Sequence, residues 1–195
     1  MLTTIIATHE SERLLVPTLA ALVPAAATGF LTSVIVADGA SRDGTAEIAE
    51  LAGCRFMSSV QPLGARLKSA AEATRSPWLM FLRAGVIPQV GWIDAAEHFI
   101  QKTEMRQGAT CAAVFRSPGP SDYIRPGLAE IADLLRAAIG GYPGADQGLL
   151  IARRFYDAIG GHSDGVDAER ALFRRLGHRR LAVLATTVSV IRQNT

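Results

Sequence analysis

The strongest constraint on this chain is a series of short apolar runs, each followed by a helical pattern. Thr3–Thr8 reads TTIIAT, Ser33–Ala37 reads SVIVA and Trp78–Leu82 reads WLMFL. Each is too short for a helix and rich in β-branched or aromatic residues, as buried strands are. Strands that are apolar on both faces belong to a parallel sheet with helices on both sides. Between them lie a helix from the Ser11 cap to about Val23, a helix capped by Asp43 over Thr45–Ala52, a weaker strand Arg55–Ser58, and a helix Leu63–Thr74. A helix from Gly91 or Trp92 to about Lys102 and a fifth strand Thr110–Phe115 follow. In such sheets ligands bind beyond the carboxyl ends of the strands. Candidate site residues therefore lie at His9-Glu10, Asp38 to Thr45, and Arg83 to Pro88.

The second half is patterned differently. Ser117-Pro118-Gly119-Pro120 interrupts the chain, and Leu128, Ile131, Leu134, Leu135 and Ile139 mark one helical face. A glycine-rich loop at Gly140–Gly144 precedes a strand at Leu149–Ala152. A short helix ends at Gly160-Gly161, a further helix spans Val166–Leu176 with Gly177 as its C-cap, and Leu181–Val190 reads as a strand. At 195 residues, this is expected to be one domain. The change of pattern divides it into residues 1–116 and 117–195.

Hydrophobic residues make up 49%, enough for a core, so wholesale disorder is excluded. Net charge is only +2, but residues 101–195 carry thirteen Lys/Arg against nine Asp/Glu. The cluster Arg170, Arg174, Arg175, Arg179 and Arg180 carries much of that excess. Only Phe173 interleaves it, which argues against a nucleic-acid platform. Cys54 and Cys111 have no metal-site or disulfide spacing. His9, His98, His162 and His178 are scattered. Trp78 and Trp92 read as core. Leu14 to Ala37 lacks charge, but Pro17, Pro24 and Gly29 break it, so it reads as a helix, a turn and a strand. With no signal peptide, a cytoplasmic protein is expected. Peripheral contact with the inner face of a membrane stays open.

One segment concentrates candidate chemistry. In Asp38-Gly39-Ala40-Ser41-Arg42-Asp43-Gly44-Thr45 an acid ends a strand, small residues turn the chain, and Asp43 begins a helix whose N–H groups favour polar ligand atoms. Asp38 is thereby placed to accept hydrogen bonds from a base or ribose; Asp38 and Asp43 as mere turn caps are the alternative.

This string resembles the "DDGSxDGT" signature of family 2 glycosyltransferases. IIATHESE before it is similar to the family's "IIPTYNEE". Leu63–Ala71 resembles "RGAQLNAGA", and Trp78–Trp92 resembles "LLFLHADTRLPPGW". Residues 146–161 resemble "GDQGLFVRRxxFxxLGG" of a short bacterial branch. The resemblance implies a GT-A fold: a Rossmann-like, mostly parallel sheet in a three-layer α/β sandwich. It implies transfer of a sugar, with inversion, from a nucleoside-diphosphate donor to an acceptor hydroxyl. Residues 1–116 are then a nucleotide-binding half and 117–195 an acceptor-side half, and Thr8, His9, Glu10, Asp38, Gly39, Ala40, Arg66, Lys68, Arg83, Ala84 and Gly85 fall on the donor side. Asp146 and Gln147 fall on the acceptor side or, equally, make a turn.

The departures bear on mechanism. The family places a carboxylate for Mg²⁺ or Mn²⁺ after the fourth strand. Here those positions are Arg83-Ala84-Gly85, and no Asp or Glu occurs from Ala73 to Ile93. A hard cation needs oxygen ligands, so the usual site is expected to be missing. Arg66, Lys68 and Arg83 replace neutral or weakly basic family residues, and facing one pocket they would hold a diphosphate without a metal. The general base is expected at Asp167, with Glu169 or Asp164 as substitutes. The competing reading is an inactive relative that binds a nucleotide or a partner. A nucleotide-binding domain of another class gains no support, because GxGxxG and the Walker-A lysine are absent.

Overall fold

The structure is a computed structural model that describes residues 1–105, 111–116, 144–165 and 167–191. Strand β1 (Leu2–Thr8) leads to helix α1 (Glu12–Ala27), then β2 (Leu31–Asp38), α2 (Thr45–Leu51), β3 (Arg55–Ser58) and α3 (Leu63–Glu72). Next come β4 (Trp78–Arg83), the short β5 (Val86–Pro88), α4 (Trp92–Met105) and β6 (Ala112–Arg116). A 3₁₀ turn (Ala145–Gln147) opens β7 (Leu149–Ala152), followed by α5 (Arg153–Ala158), α6 (Ala168–Leu176), a second 3₁₀ turn (His178–Arg180) and β8 (Leu181–Val190).

The strands form one sheet in the order β3-β2-β1-β4-β7-β6-β8-β5. The first four are parallel, in register from Leu2 beside Trp78 to Ala7 beside Arg83. All seven residues of β1 are buried, which explains why that strand is apolar on both faces. Leu2, Ile5, Ile6, Leu79, Met80, Leu150 and Ile151 fill the centre of the core.

Beyond β4 the arrangement departs from simple alternation. Strand β7 inserts between β4 and β6 and runs antiparallel to both, with Phe81 opposite Leu149. The fifth strand of the sequence reading therefore does not sit beside the fourth. Strand β5 was missed because three residues carry no periodicity. It pairs antiparallel with β8, and Pro88 is tolerated because β5 lies at the sheet edge.

Helix α1 also corrects the reading. It continues past Val23 to Ala27 with Pro17 and Pro24 inside it, and Ser11 makes no side-chain cap. Burial of Leu15, Leu22 and Ala25 outweighs the two missing backbone donors. The Ser11 hydroxyl instead donates to the His9 carbonyl. Asp43, by contrast, accepts from the Thr45 N–H at the start of α2, as its sequence position suggested. The helical face at Leu128–Ile139 and the glycine-rich loop Gly140–Pro143 lie outside the described residues. Among the described residues no helix is long and apolar enough to cross a membrane.

Candidate active site at the carboxyl edge of the sheet

The carboxyl ends of β1 and β2 converge on Asp38, which is completely buried. One carboxylate oxygen accepts from the Thr8 hydroxyl at 2.8 Å and the Ser41 hydroxyl at 2.5 Å. The other accepts from the Ser41 N–H at 2.8 Å and the Ser58 hydroxyl at 3.1 Å. Burial raises the carboxyl's pKa, but these four donors outweigh it and leave the group below its ordinary value. The acid that ends β2 thus organises the loop, tying the ends of β1, β2 and β3 together through Thr8, Ser41 and Ser58.

The two loops after β1 and β2 are laced together by side chains. His9 Nδ1 donates to the Gly39 carbonyl at 2.9 Å. Glu10 accepts from the Arg42 N–H while its own N–H donates to Ser41. Asp43 accepts from the Glu12 N–H, and Glu12 accepts from the Gly44 N–H. Two non-glycine residues there, Glu10 at φ 48° and Ala40 at φ 58°, occupy the left-handed region. Such backbone persists only where surrounding contacts over-determine it.

Arg66 reaches this edge from α3. Its Nη1 donates to the carbonyls of Ala37 (2.7 Å) and Thr8 (3.1 Å), and its Nε donates to Gln61. Burial lowers the guanidinium pKa, while the charge of Asp38 raises it. Nη2 has no hydrogen-bond partner among the described residues. Arg66 lines an open groove of about 140 Å³ together with Met57, Ser58, Ser59, Gln61, Ala65 and Ser69. Lys68 does not join it. It is exposed and lies two residues from Arg66, about 200° round the helix, so the three expected cations do not face one pocket.

Arg83 ends β4, where the family's metal ligands would stand. Its Nη2 and Nε grip both oxygens of Glu169 on α6, the second contact at 3.3 Å. Ala84 and Gly85 are occupied structurally. The Ala84 N–H donates to Ala7, the Gly85 N–H donates to Leu14 and Thr18, and the Ile191 carbonyl fills the place of a Gly85 side chain. Among the described residues no three His, Cys, Asp or Glu side chains group to hold a cation. The acid brought to the end of β4 is already gripped by an arginine, so the donor set does not fit Mg²⁺ or Mn²⁺.

Glu169 therefore meets Arg83, while Asp167 is exposed at the start of α6, 4.0 Å from Arg170. Asp164 is also exposed. Gln147 ties the turn before β7 to β6, its Nε2 donating to the Phe115 carbonyl and its Oε1 accepting from the Gly144 N–H. Asp146, next to it, is half-buried.

Sequence reasoning missed His162. It is buried and bonded through Nδ1 to the Tyr156 hydroxyl at 2.9 Å. A second cleft, between β4 and α6, is lined by Phe81, Gly148, Leu149, His162, Glu169, Leu172 and Phe173. Only its position after Gly160-Gly161 could have drawn attention to His162. Gly161 packs against the Tyr156 ring, which would lie 2.8 Å from any added side chain.

Comparison with known proteins agrees with this geometry. A model of "Glycosyl transferase family 2" matches residues 3–145. No curated protein matches the chain. Among solved structures, glucosyl-3-phosphoglycerate synthase from Mycobacterium tuberculosis, in complex with Mn²⁺, UDP and glucosyl-3-phosphoglycerate, is 16% identical. The match covers all of this chain and 73% of that one, with a TM-score of 0.66. A second mycobacterial protein is 17% identical over all of this chain and 68% of its own, with a TM-score of 0.68. S. aureus TarS (residues 1–349) is 14% identical over 96% of this chain and 59% of its own, with a TM-score of 0.72. At these identities the likeness establishes the fold, which is of the GT-A glycosyltransferase type. Because that match spans well over half of the sequence, the chain belongs to glycosyl transferase family 2.

Proposed function

We propose that this protein transfers a glycosyl group from a nucleoside-diphosphate sugar to an acceptor hydroxyl, and that side chains rather than a divalent cation meet the diphosphate. The observation that carries the reading is Arg83 at the end of β4, paired with Glu169 where the family would hold a metal. The M. tuberculosis relative, crystallised with UDP and Mn²⁺, supports the donor class. The groove beside Arg66 offers serine hydroxyls and an amide to a nucleoside, and Arg66 Nη2 offers two N–H groups to phosphate oxygen.

The chemistry balances without further cofactors. The acceptor oxygen attacks the anomeric carbon as the bond to the diphosphate breaks, inverting that carbon. The acceptor's proton passes to a carboxylate. Asp167 is our choice for that base, because Glu169 is engaged by Arg83. Negative charge developing on the diphosphate is met by the guanidinium groups of Arg83 and Arg66. A non-catalytic binding module is the second reading, and the same Arg83–Glu169 pair favours it if it never opens to ligand. The exposed Arg170, Arg174, Arg179 and Arg180 support peripheral attraction to an anionic membrane surface.

The test is thermal stability with UDP, GDP and their sugar conjugates, in EDTA and in Mn²⁺. A ligand that binds only the folded state raises the melting temperature. A rise with one diphosphate, unchanged by EDTA and reduced in Arg83→Ala, is expected. A rise that needs Mn²⁺ refutes the metal-free reading. No rise with any compound refutes the donor site.

A further inference from the structure

His162 is a buried imidazole whose two nitrogens have different fates. The Tyr156 hydroxyl accepts from the His162 backbone N–H at 3.1 Å and lies 2.9 Å from His162 Nδ1. Among the described residues that hydroxyl has no other acceptor, so its proton goes to Nδ1. The imidazole proton must then sit on Nε2. Arg175, on α6, clamps the preceding turn by donating to the carbonyls of Ile159 (2.7 Å) and Gly161 (2.5 Å), which fixes where the ring stands. Burial, reinforced by the Arg175 charge, pushes the ring's pKa down to about 3, so it stays neutral at any ordinary pH.

Nε2–H has no hydrogen-bond partner among the described residues. The ring is buried, but Nε2 is not sealed: of the described side chains only Thr4 holds a buried polar atom with no partner, so the imidazole donor stays reachable and an entering acceptor can satisfy it. The ring lines the cleft between β4 and α6, whose other polar group is the Glu169 carboxylate. The walls are otherwise apolar, with Phe81 edge-on to His162 at 4.7 Å and Phe173 and Leu172 alongside. The space left, about 10 Å³, holds a single oxygen atom. A group that accepts from an N–H and donates to a carboxylate is a hydroxyl, whether of a water or of a ligand that displaces it. A phosphate or carboxylate oxygen satisfies the first and is repelled by the second.

We propose that His162 is a specificity-determining contact, presenting Nε2–H to one hydroxyl oxygen of a sugar seated between β4 and α6. This rests on the reading of the protein as a nucleotide-sugar transferase. Phe81 and Phe173, both buried, wall the space around that oxygen, the hydroxyl donates to Glu169, and Tyr156 holds the tautomer. A site built around a buried donor rejects a ligand that lacks its partner far more strongly than an apolar pocket does.

The experiment is calorimetric titration of wild type, His162→Phe and His162→Gln with UDP, GDP, UDP-glucose, GDP-mannose, single-deoxy analogues of each conjugate, and the free methyl glycosides. Glutamine keeps an N–H near the position of Nε2; phenylalanine keeps the volume only. Expected is one conjugate that binds wild type at least tenfold more tightly than its deoxy analogue, with that gap surviving in His162→Gln and gone in His162→Phe. Affinity for the bare diphosphate should be the same in all three. Should His162→Phe not fold, Tyr156→Phe replaces it, because freeing Nδ1 lets the proton leave Nε2 and must narrow the gap. A gap unchanged in His162→Phe, or in its Tyr156→Phe replacement, overturns the proposal and leaves the transferase reading intact. Failure of every diphosphate to bind overturns that reading. The glycoside arm still decides His162 in that case: glycoside binding lost in His162→Phe sustains the proposal, and equal or absent binding overturns it.

Discussion

Replacing Asp38 by Asn is the sharpest test of how the loop after β2 is built. The carboxylate takes four donors, and the substitution preserves its shape while exchanging one acceptor oxygen for an NH₂ group. With Oδ1 still accepting from Thr8 and Ser41 Oγ, the amide nitrogen faces the Ser41 N–H and the Ser58 hydroxyl. Ser58 can rotate and accept. The backbone N–H of Ser41 cannot, and is left buried against another donor. One unsatisfied buried donor costs about 1–3 kcal/mol, and the two surviving bonds lose their charge assistance, so the total loss is about 2–4 kcal/mol. That is a large share of the roughly 5–15 kcal/mol that stabilises a typical domain.

Urea denaturation without any ligand, repeated from pH 7 down to pH 3, measures it. The native Asp38 pKa is depressed, so its contribution is fully present above the unfolded value of about 3.9 and is lost as pH falls through the native one. The two proteins should therefore differ most near neutrality and converge in acid. Asp43 is depressed too, but it is present in both proteins and cancels. A neutral-pH difference under about 1 kcal/mol, or a gap that does not narrow in acid, would refute the view that Asp38 is an internal organiser.

Two further substitutions probe packing. An added Cβ on Gly64 would lie 1.7 Å from the Ser163 carbonyl oxygen and 2.6 Å from Ala168. Gly64→Ala should destabilise by about 2 kcal/mol despite the better helix propensity of alanine, lowering the melting temperature by roughly 4–8 °C in calorimetry; no loss would mean the segment 163–168 yields freely. The Thr4 hydroxyl is buried in β1 with no hydrogen-bond partner among the described residues. Thr4→Val keeps the shape and should stabilise by about 1 kcal/mol in the same urea assay.

Much of the architecture was legible before any coordinates. The buried strands at residues 2–8, 31–38 and 78–83 announce themselves because both faces of a central parallel strand must be apolar. Arg55–Ser58, Leu149–Ala152 and Leu181–Val190 were bounded by the turn residues around them. The replacement of acids by Arg83-Ala84-Gly85 was also a property of the string alone.

Whatever depended on distant partners was not legible. Nothing local says that β7 slips antiparallel between β4 and β6, since strand order is decided by which faces must be covered. Asp38 stood open in the sequence between a ligand contact and a turn cap; Thr8 and Ser58, which close its coordination, come from other strands. Arg83 and Glu169 are 86 residues apart, and only the docking of α6 against the end of β4 makes them a pair. His162 looked like one scattered histidine among four. Its tautomer, and the donor that tautomer leaves on Nε2, exist only because Gly161 lets the chain close on Tyr156. Residue type and periodicity determine local backbone and burial. Protonation, pairing and the chemistry open to a side chain are set by what the fold brings within a few ångströms of it.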